Sequence, residues 1–263
     1  MGVVAVLLTG VAQAGPPYVT DDPETPEEGC WEVNTPYAFE RSNGLEQVQE
    51  PWLDVNYGYR SNLQVKLELP LLHVSGPGQP STTGVGDTWV GAKWRFLEQT
   101  ASRPAMAVYP QLSLPTGDAG RGLGAGKPSY VLPLEAERAW GPWTTIANVG
   151  RVWQTADHAE DYWFYGVNVC RVVGTRWELG AEVFGNGPTE PGEASLLAYN
   201  MGLQCAVRPN LNFLFSAGHS LKGTDTALLY AGFQFEFGTG PEHRRGEQPE
   251  PRERHPQAAP EPQ

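Results

Sequence analysis

Three groups of residues have types and spacings that suggest chemistry, and each lacks something that the chemistry requires. The run from Gly120 to Lys127, GRGLGAGK, has the glycine content of a phosphate-cradling loop. Such a loop needs a glycine five residues before Gly126 and a Ser or Thr after the lysine, but Arg121 and Pro128 stand there. His219 and Ser220 offer a base and a nucleophile, yet neighbours on one strand point to opposite faces and cannot converge on a substrate. His73 and His158 have no second histidine nearby, and Cys30, Cys170 and Cys205 show no CxxC or Cys/His spacing for a metal. Asp21, Asp22, Glu24, Glu27 and Glu28 lack the alternating ligand spacing of a calcium loop and read as solvated acid. No catalytic site, metal or cofactor is expected, and the chain does not read as an enzyme.

Another set of residues is informative through its alternation. Lys66, Glu68, Lys93, Arg95, Glu135, Glu178 and Glu182, with Glu32, Asp54, Arg60 and Glu236, occupy every second position of otherwise apolar stretches. A packed interior does not tolerate that many charges, whereas a wet or salt-bridged lumen does. The seven named first are the expected lumen lining, with bracing of the wall as the alternative role. The loop Gly117–Pro128, carrying Asp118, Arg121 and Lys127, is the expected constriction because its glycines allow it to fold inward.

The elements that position these side chains are strands. Leu211, Phe213, Phe215 and Ala217 alternate with polar residues, and after a turn at 222–225 the pattern returns in Leu229, Ala231, Phe233, Phe235 and Phe237. Such a face points inward in a soluble sandwich and outward into lipid in a membrane barrel. Strands are predicted at about 30–41, 46–60, 63–75, 86–97, 105–116, 129–139, 143–154, 161–173, 176–184, 196–208, 211–220 and 227–237, with weaker alternation over 129–154. Most are long enough to cross a bilayer at a tilt, which takes about 9–11 residues. Short turns at 61–62, 140–142, 174–175 and 209–210 alternate with longer connections at Gly76–Val85, Gly117–Pro128, Thr155–Glu160 and Gly185–Ala194, as in barrels with periplasmic turns and extracellular loops. Trp31, Trp52, Trp143, Trp153, Trp163, Trp177 and Tyr59 fall near strand ends, where interfacial girdles lie. The expected fold is all-β: a closed antiparallel transmembrane β-barrel of about twelve strands in an up-and-down meander. A formal charge of -12 argues against a nucleic-acid partner.

The domain order follows. Residues 1–14 read as a signal peptide ending in Ala12-Gln13-Ala14, 15–29 as an extended acidic periplasmic leader, 30–238 as the barrel and 239–263 as a disordered Pro/Glu/Arg-rich tail. Thr20-Asp-Asp-Pro-Glu24, Leu114-Pro-Thr-Gly-Asp-Ala-Gly-Arg-Gly-Leu-Gly124 and Gly141-Pro-Trp-Thr-Thr145 resemble the outer-membrane transporter family named for the meta pathway of phenol degradation. That resemblance covers about residues 15–238. It implies a Gram-negative outer-membrane barrel, surrounded by lipid and inserted by the assembly machinery, that takes up small aromatic or other compounds; it supplies no ligand site. The function expected is a passive channel for small, aromatic or hydrophobic solutes. The alternatives are a structural or adhesion barrel with a plugged lumen and, further off, a lipase-like outer-membrane enzyme.

Overall fold

A computed structural model describes residues 15–42, 44–157 and 159–239; the expected signal peptide, His158 and the tail from Gly240 onward lie outside the described residues. Fourteen strand segments form one antiparallel sheet that closes on itself: β1 (Cys30–Ser42), β2 (Leu45–Arg60), β3 (Leu63–Gly76), β4 (Gln79–Val85), β5 (Thr88–Leu97), β6 (Ala105–Val108), β7 (Gln111–Leu114), β8 (Ser129–Trp140), β9 (Trp143–Gln154), β10 (Tyr162–Val173), β11 (Trp177–Asn186), β12 (Leu196–Arg208), β13 (Leu211–Lys222) and β14 (Thr226–Gly238). The β1–β14 seam runs in register from Cys30 opposite Gly238 to Ser42 opposite Thr226.

The segments make twelve barrel strands, because β4 with β5 and β6 with β7 are each one strand broken in the middle. Pro110 explains the second break: it has no N–H for the ladder, although its carbonyl still accepts from Ala92. The connection expected at Gly76–Val85 is instead strand apart from a tight turn at 77–78, with Gly78 at φ 74°. The segment β4, QPSTTGV, is polar on both faces and therefore carries no alternation to read. The sorting of connections by length is accordingly partial. Of the long ones, 115–128, 155–161 and 187–195 share one end, the loop end, but the short 77–78 lies there too, and 98–104, as long as 155–161, lies at the opposite, turn end.

The period of two places apolar side chains outside and polar ones inside. Along β3, Val65, Leu67 and Leu69 are exposed on the outer face, while Gln64, Lys66 and Glu68 are buried within. Phe233, Phe235 and Phe237 likewise face outward, against a buried Gln234. Trp31, Tyr59, Trp140, Trp143 and Trp177 mark the turn end of this belt and Trp153, Trp163 and Tyr165 the loop end. The side chain of Trp52 lies outside the described residues.

Candidate functional site

The lumen is the candidate site, and the chain's own leader occupies it. From Cys30 at the turn end the preceding residues pass β2, where Gly29 N–H donates to Gly58 O and Thr25 Oγ1 to Ser61 O. They then cross the lumen. Asp21 accepts from Lys93 Nζ at 2.9 Å, and the Val19 and Thr20 amides both donate to the Glu182 carboxylate at 2.7 Å. Ser216 Oγ donates to Pro17 O. Thr20 and Asp21 are 2% and 5% exposed, so the solvated acid expected here is corrected: Asp21 is a buried ion-pair partner. The reading failed because its partner, Lys93, lies 72 residues away and the leader has no periodicity that points to it.

Two lysines organise the charges at this waist. Lys66 lies 2.9 Å from Glu68 and 3.5 Å from Asp54, while Lys93 lies 2.9 Å from Asp21, 3.4 Å from Glu135 and 4.8 Å from the centre of the Tyr109 ring. Asp54 also accepts from Asn34 and Asn56, and Gln64 donates to Asn56 Oδ1 at 2.6 Å. A buried charge of this kind is tolerated because partners and hydrogen bonds replace the water it loses. Across the lumen, Glu182 accepts additionally from Asn200, which also donates to Ser216.

The opposite wall makes room by omitting side chains. Cys170, Gly180, Gly202 and Ser216 stand side by side on β10 to β13. A methyl group at Gly180 would meet Tyr18 Oη and Cys170 Sγ; one at Gly202 would stand 2.9 Å from the Tyr18 ring. At Gly166 it would collide with Thr20, and at Gly58 with the backbone of Pro26 and Glu27. Four inward glycines thus line the path of the leader. Inward glycines on successive strands are a readable signal that some other chain segment approaches closely.

Above the waist, toward the loop end, the lining turns apolar: Val131, Val152, Tyr162 and Phe164 are buried together, with Trp89 against them. This explains part of the weak alternation over 129–154, where Val131 and Val152 face inward within this cluster; Ile146, also inward, lies nearer the turn end opposite Glu137.

Of the lining residues named from sequence, Lys66, Glu68, Lys93, Glu135 and Glu182 are buried in the lumen. Glu178 is half-buried on the inner parity of β11, and Arg95 sits at the turn-end rim, paired with Glu98 and donating to Ser61 O. Asp118, Arg121 and Lys127 are exposed: Arg121 donates to Thr83 O and Lys127 pairs with Asp157. Their loop is tied down by Asp87, which accepts from the Gly117 and Ala125 amides, and the constriction the structure displays is the leader. Cys30, Cys170 and Cys205 sit on three different strands. His219 Nδ1 is 3.5 Å from Ser220 Oγ, too long for a working base–nucleophile bond, and that oxygen already accepts from the Thr226 amide.

Twelve closed antiparallel strands with an apolar belt and a polar lumen define a transmembrane β-barrel of the outer-membrane kind. Residues 17–237 match the family model described as "Putative MetA-pathway of phenol degradation", and the chain belongs to that family. The fold is similar to the COG4313 outer membrane channel from Pseudomonas putida F1, at a TM-score of 0.68 and 15% identity, over 82% of this chain and 98% of that one. It is also similar to the NanC porin (TM-score 0.54, 7% identity, 77% and 98% covered) and to the KdgM porin in complex with disordered oligogalacturonate (0.53, 11%, 78% and 99%). No curated protein matches the chain.

Proposed function

We propose that this chain is a passive outer-membrane channel for small, apolar or aromatic solutes. The observation that carries the solute class is the apolar cluster of Val131, Val152, Tyr162, Phe164 and Trp89 inside the loop end of the barrel, above the charged waist. In barrels of this type short turns face the periplasm and loops face outward, so this cluster is the first lining a solute meets. Apolar burial there draws in the solute, and the waist sets what continues. Lys66, Glu68, Lys93, Glu135 and Glu182 line the waist in this reading, with Arg95 and Glu178 nearer the periplasmic rim. Export by the segment 1–14 and insertion by the assembly machinery complete it.

A second reading is favoured by the leader itself: a lumen crossed by residues 17–23 is a plugged structural barrel if the leader never moves. Liposome uptake decides between them. Purified protein and a variant lacking residues 15–23 are reconstituted, and entry of phenol, a sugar and an amino acid is compared with protein-free vesicles. Phenol should enter faster in both forms, and faster still without the leader. If nothing enters faster than into empty vesicles in either form, the channel reading is lost.

A further inference from the structure

The outer face carries a group of arginines at the turn end that no carboxylate among the described residues serves. At the loop end Arg151 pairs with Asp161 at 3.6 Å and Lys127 with Asp157 at 2.7 Å, while the exposed Arg41 and Lys222 stand apart from one another without an ion pair among the described residues. At the turn end Arg103, Arg138 and Arg171 are exposed and make no ion pair among the described residues. Glu98, the carboxylate of the adjoining 98–104 connection, is already held by Arg95 at 2.9 Å.

Their placement is built. Arg138 shares the outward parity of Tyr130, Leu132 and Leu134, and Arg171 that of Trp163, Tyr165 and Val167, so both stand on the lipid face. Between them runs β9, where Thr145 stands opposite Arg138 and Trp143 opposite Arg171. The Arg171 guanidinium lies 5.1 Å from the centre of the Trp143 ring. Arg138 Nη2 donates to Ala101 O at 2.9 Å and Arg103 Nε to Glu98 O at 3.3 Å. Each guanidinium is therefore oriented by one contact and keeps further N–H donors free. Two strand spacings, about 10 Å, and a two-residue offset along the strands, about 7 Å, place Arg138 and Arg171 about 12 Å apart, a gap that two long side chains close around one phosphate-bearing headgroup. Trp140 and Trp143 mark the interface at the same level.

We propose that Arg103, Arg138 and Arg171, with Trp143, form a headgroup site for an anionic glycerophospholipid on the turn-end rim of β8 to β10. Guanidinium forks match phosphate oxygens in pairs, and the aromatic rings seat the glycerol region beside them. Acyl chains then run along Leu132, Leu134 and Val169, which are exposed on the same face. The ligand is an inner-leaflet lipid when the turn end is periplasmic, so the site also fixes which rim meets phospholipid.

The test is retention of lipid by full-length protein in native mass spectrometry from mixed phosphatidylglycerol and phosphatidylcholine micelles. Wild type should keep phosphatidylglycerol preferentially, and added salt should erode that preference because the contact is ionic. Each arginine near the surface contributes about fivefold, so Arg138→Gln with Arg171→Gln should lose roughly 25-fold. Arg41→Gln and Lys222→Gln, exposed at the loop end, should change nothing. Equal retention of the two lipids by wild type, with or without salt, overturns the site whether or not the variant folds. So does a folded, heat-modifiable double variant that keeps the wild-type preference.

Discussion

The wall formed by β3, β5 and β8 meets the leader with charge, whereas the wall formed by β10 to β13 meets it mainly with missing side chains. On the first wall Lys93 binds Asp21 of the leader and Glu135 of β8 at once. On the second, Gly166, Gly180 and Gly202 open a groove, and Glu182 at its centre holds backbone amides rather than a side chain. The difference matters for what would dislodge the leader. A charge contact fails when one partner is neutralised, while a steric groove fails only when it is filled. The charged wall is therefore the adjustable one, and the glycine wall sets where the leader can lie.

The largest effect is expected from Lys93→Met. Removing one member of a buried ion pair costs about 3–5 kcal/mol because the remaining charge has no partner, and here two carboxylates, Asp21 and Glu135, are left facing each other. The leader should leave the waist. A cysteine placed at Thr20 would become reactive toward a bulky thiol reagent, and Asp21→Asn in the same chain should restore part of the protection. A Thr20→Cys label that stays blocked in Lys93→Met would show that charge does not hold the plug.

Gly180→Val comes next, at about 1–3 kcal/mol for overpacking a filled site. The added carbons meet Tyr18 Oη and Cys170 Sγ. Tyr18→Ala should rescue the part of the loss due to the Tyr18 contact and leave the part due to Cys170, as read from the melting of the folded band and from leader labelling. Equal melting of Gly180→Val and wild type would mean that the groove is not shaped for Tyr18.

Much of the charged lining of both walls is legible in the sequence, since alternation through Leu63–Leu71 and Trp177–Val183 by itself turns Lys66, Glu68 and Glu182 inward. The leader is not. GPPYVTDDPETPEEG has no period, and its contacts to Lys93 and Glu182 span 72 and 162 residues, so nothing local announces them. The glycine groove is intermediate. Gly166, Gly180 and Gly202 share inward parity once the strands are drawn, but their alignment into one patch depends on register between strands. Over 129–154 the inward face is partly apolar, and a reading that expects polar residues inside a barrel takes Val131 and Val152 for noise when they mark the apolar cluster.

Glu182→Gln is expected to be milder, near 1 kcal/mol. Each hydrogen bond to a charged acceptor contributes about 1.5–3 kcal/mol, and one of the two amide contacts is lost when a carboxylate oxygen becomes an NH₂. Burying a neutral amide in place of a charge offsets part of that loss. The leader should stay seated but exchange its Val19 and Thr20 amide hydrogens faster. Exchange unchanged at both would remove Glu182 from the clamp.

The smallest effect belongs to a cation two residues along the same strand from Lys93. Arg95 lies at the turn-end rim, its side chain 19% exposed, and its partner Glu98 is 54% exposed at 2.9 Å. Water and salt screen such a pair, so its worth is about 0–1 kcal/mol, and Arg95 keeps its bond to Ser61 O when the carboxylate is removed. Glu98→Ala should therefore lower the melting of the folded band only slightly at low salt and not at all at about 1 M salt, where the screening length is about 3 Å. Lys93→Met, by contrast, should keep its full effect in salt, because its partners Asp21 and Glu135 are enclosed by the wall and the leader. If salt abolishes both effects alike, ions reach the waist freely and the leader does not seal it; if it abolishes neither, Arg95 belongs with the lumen charges rather than with the rim.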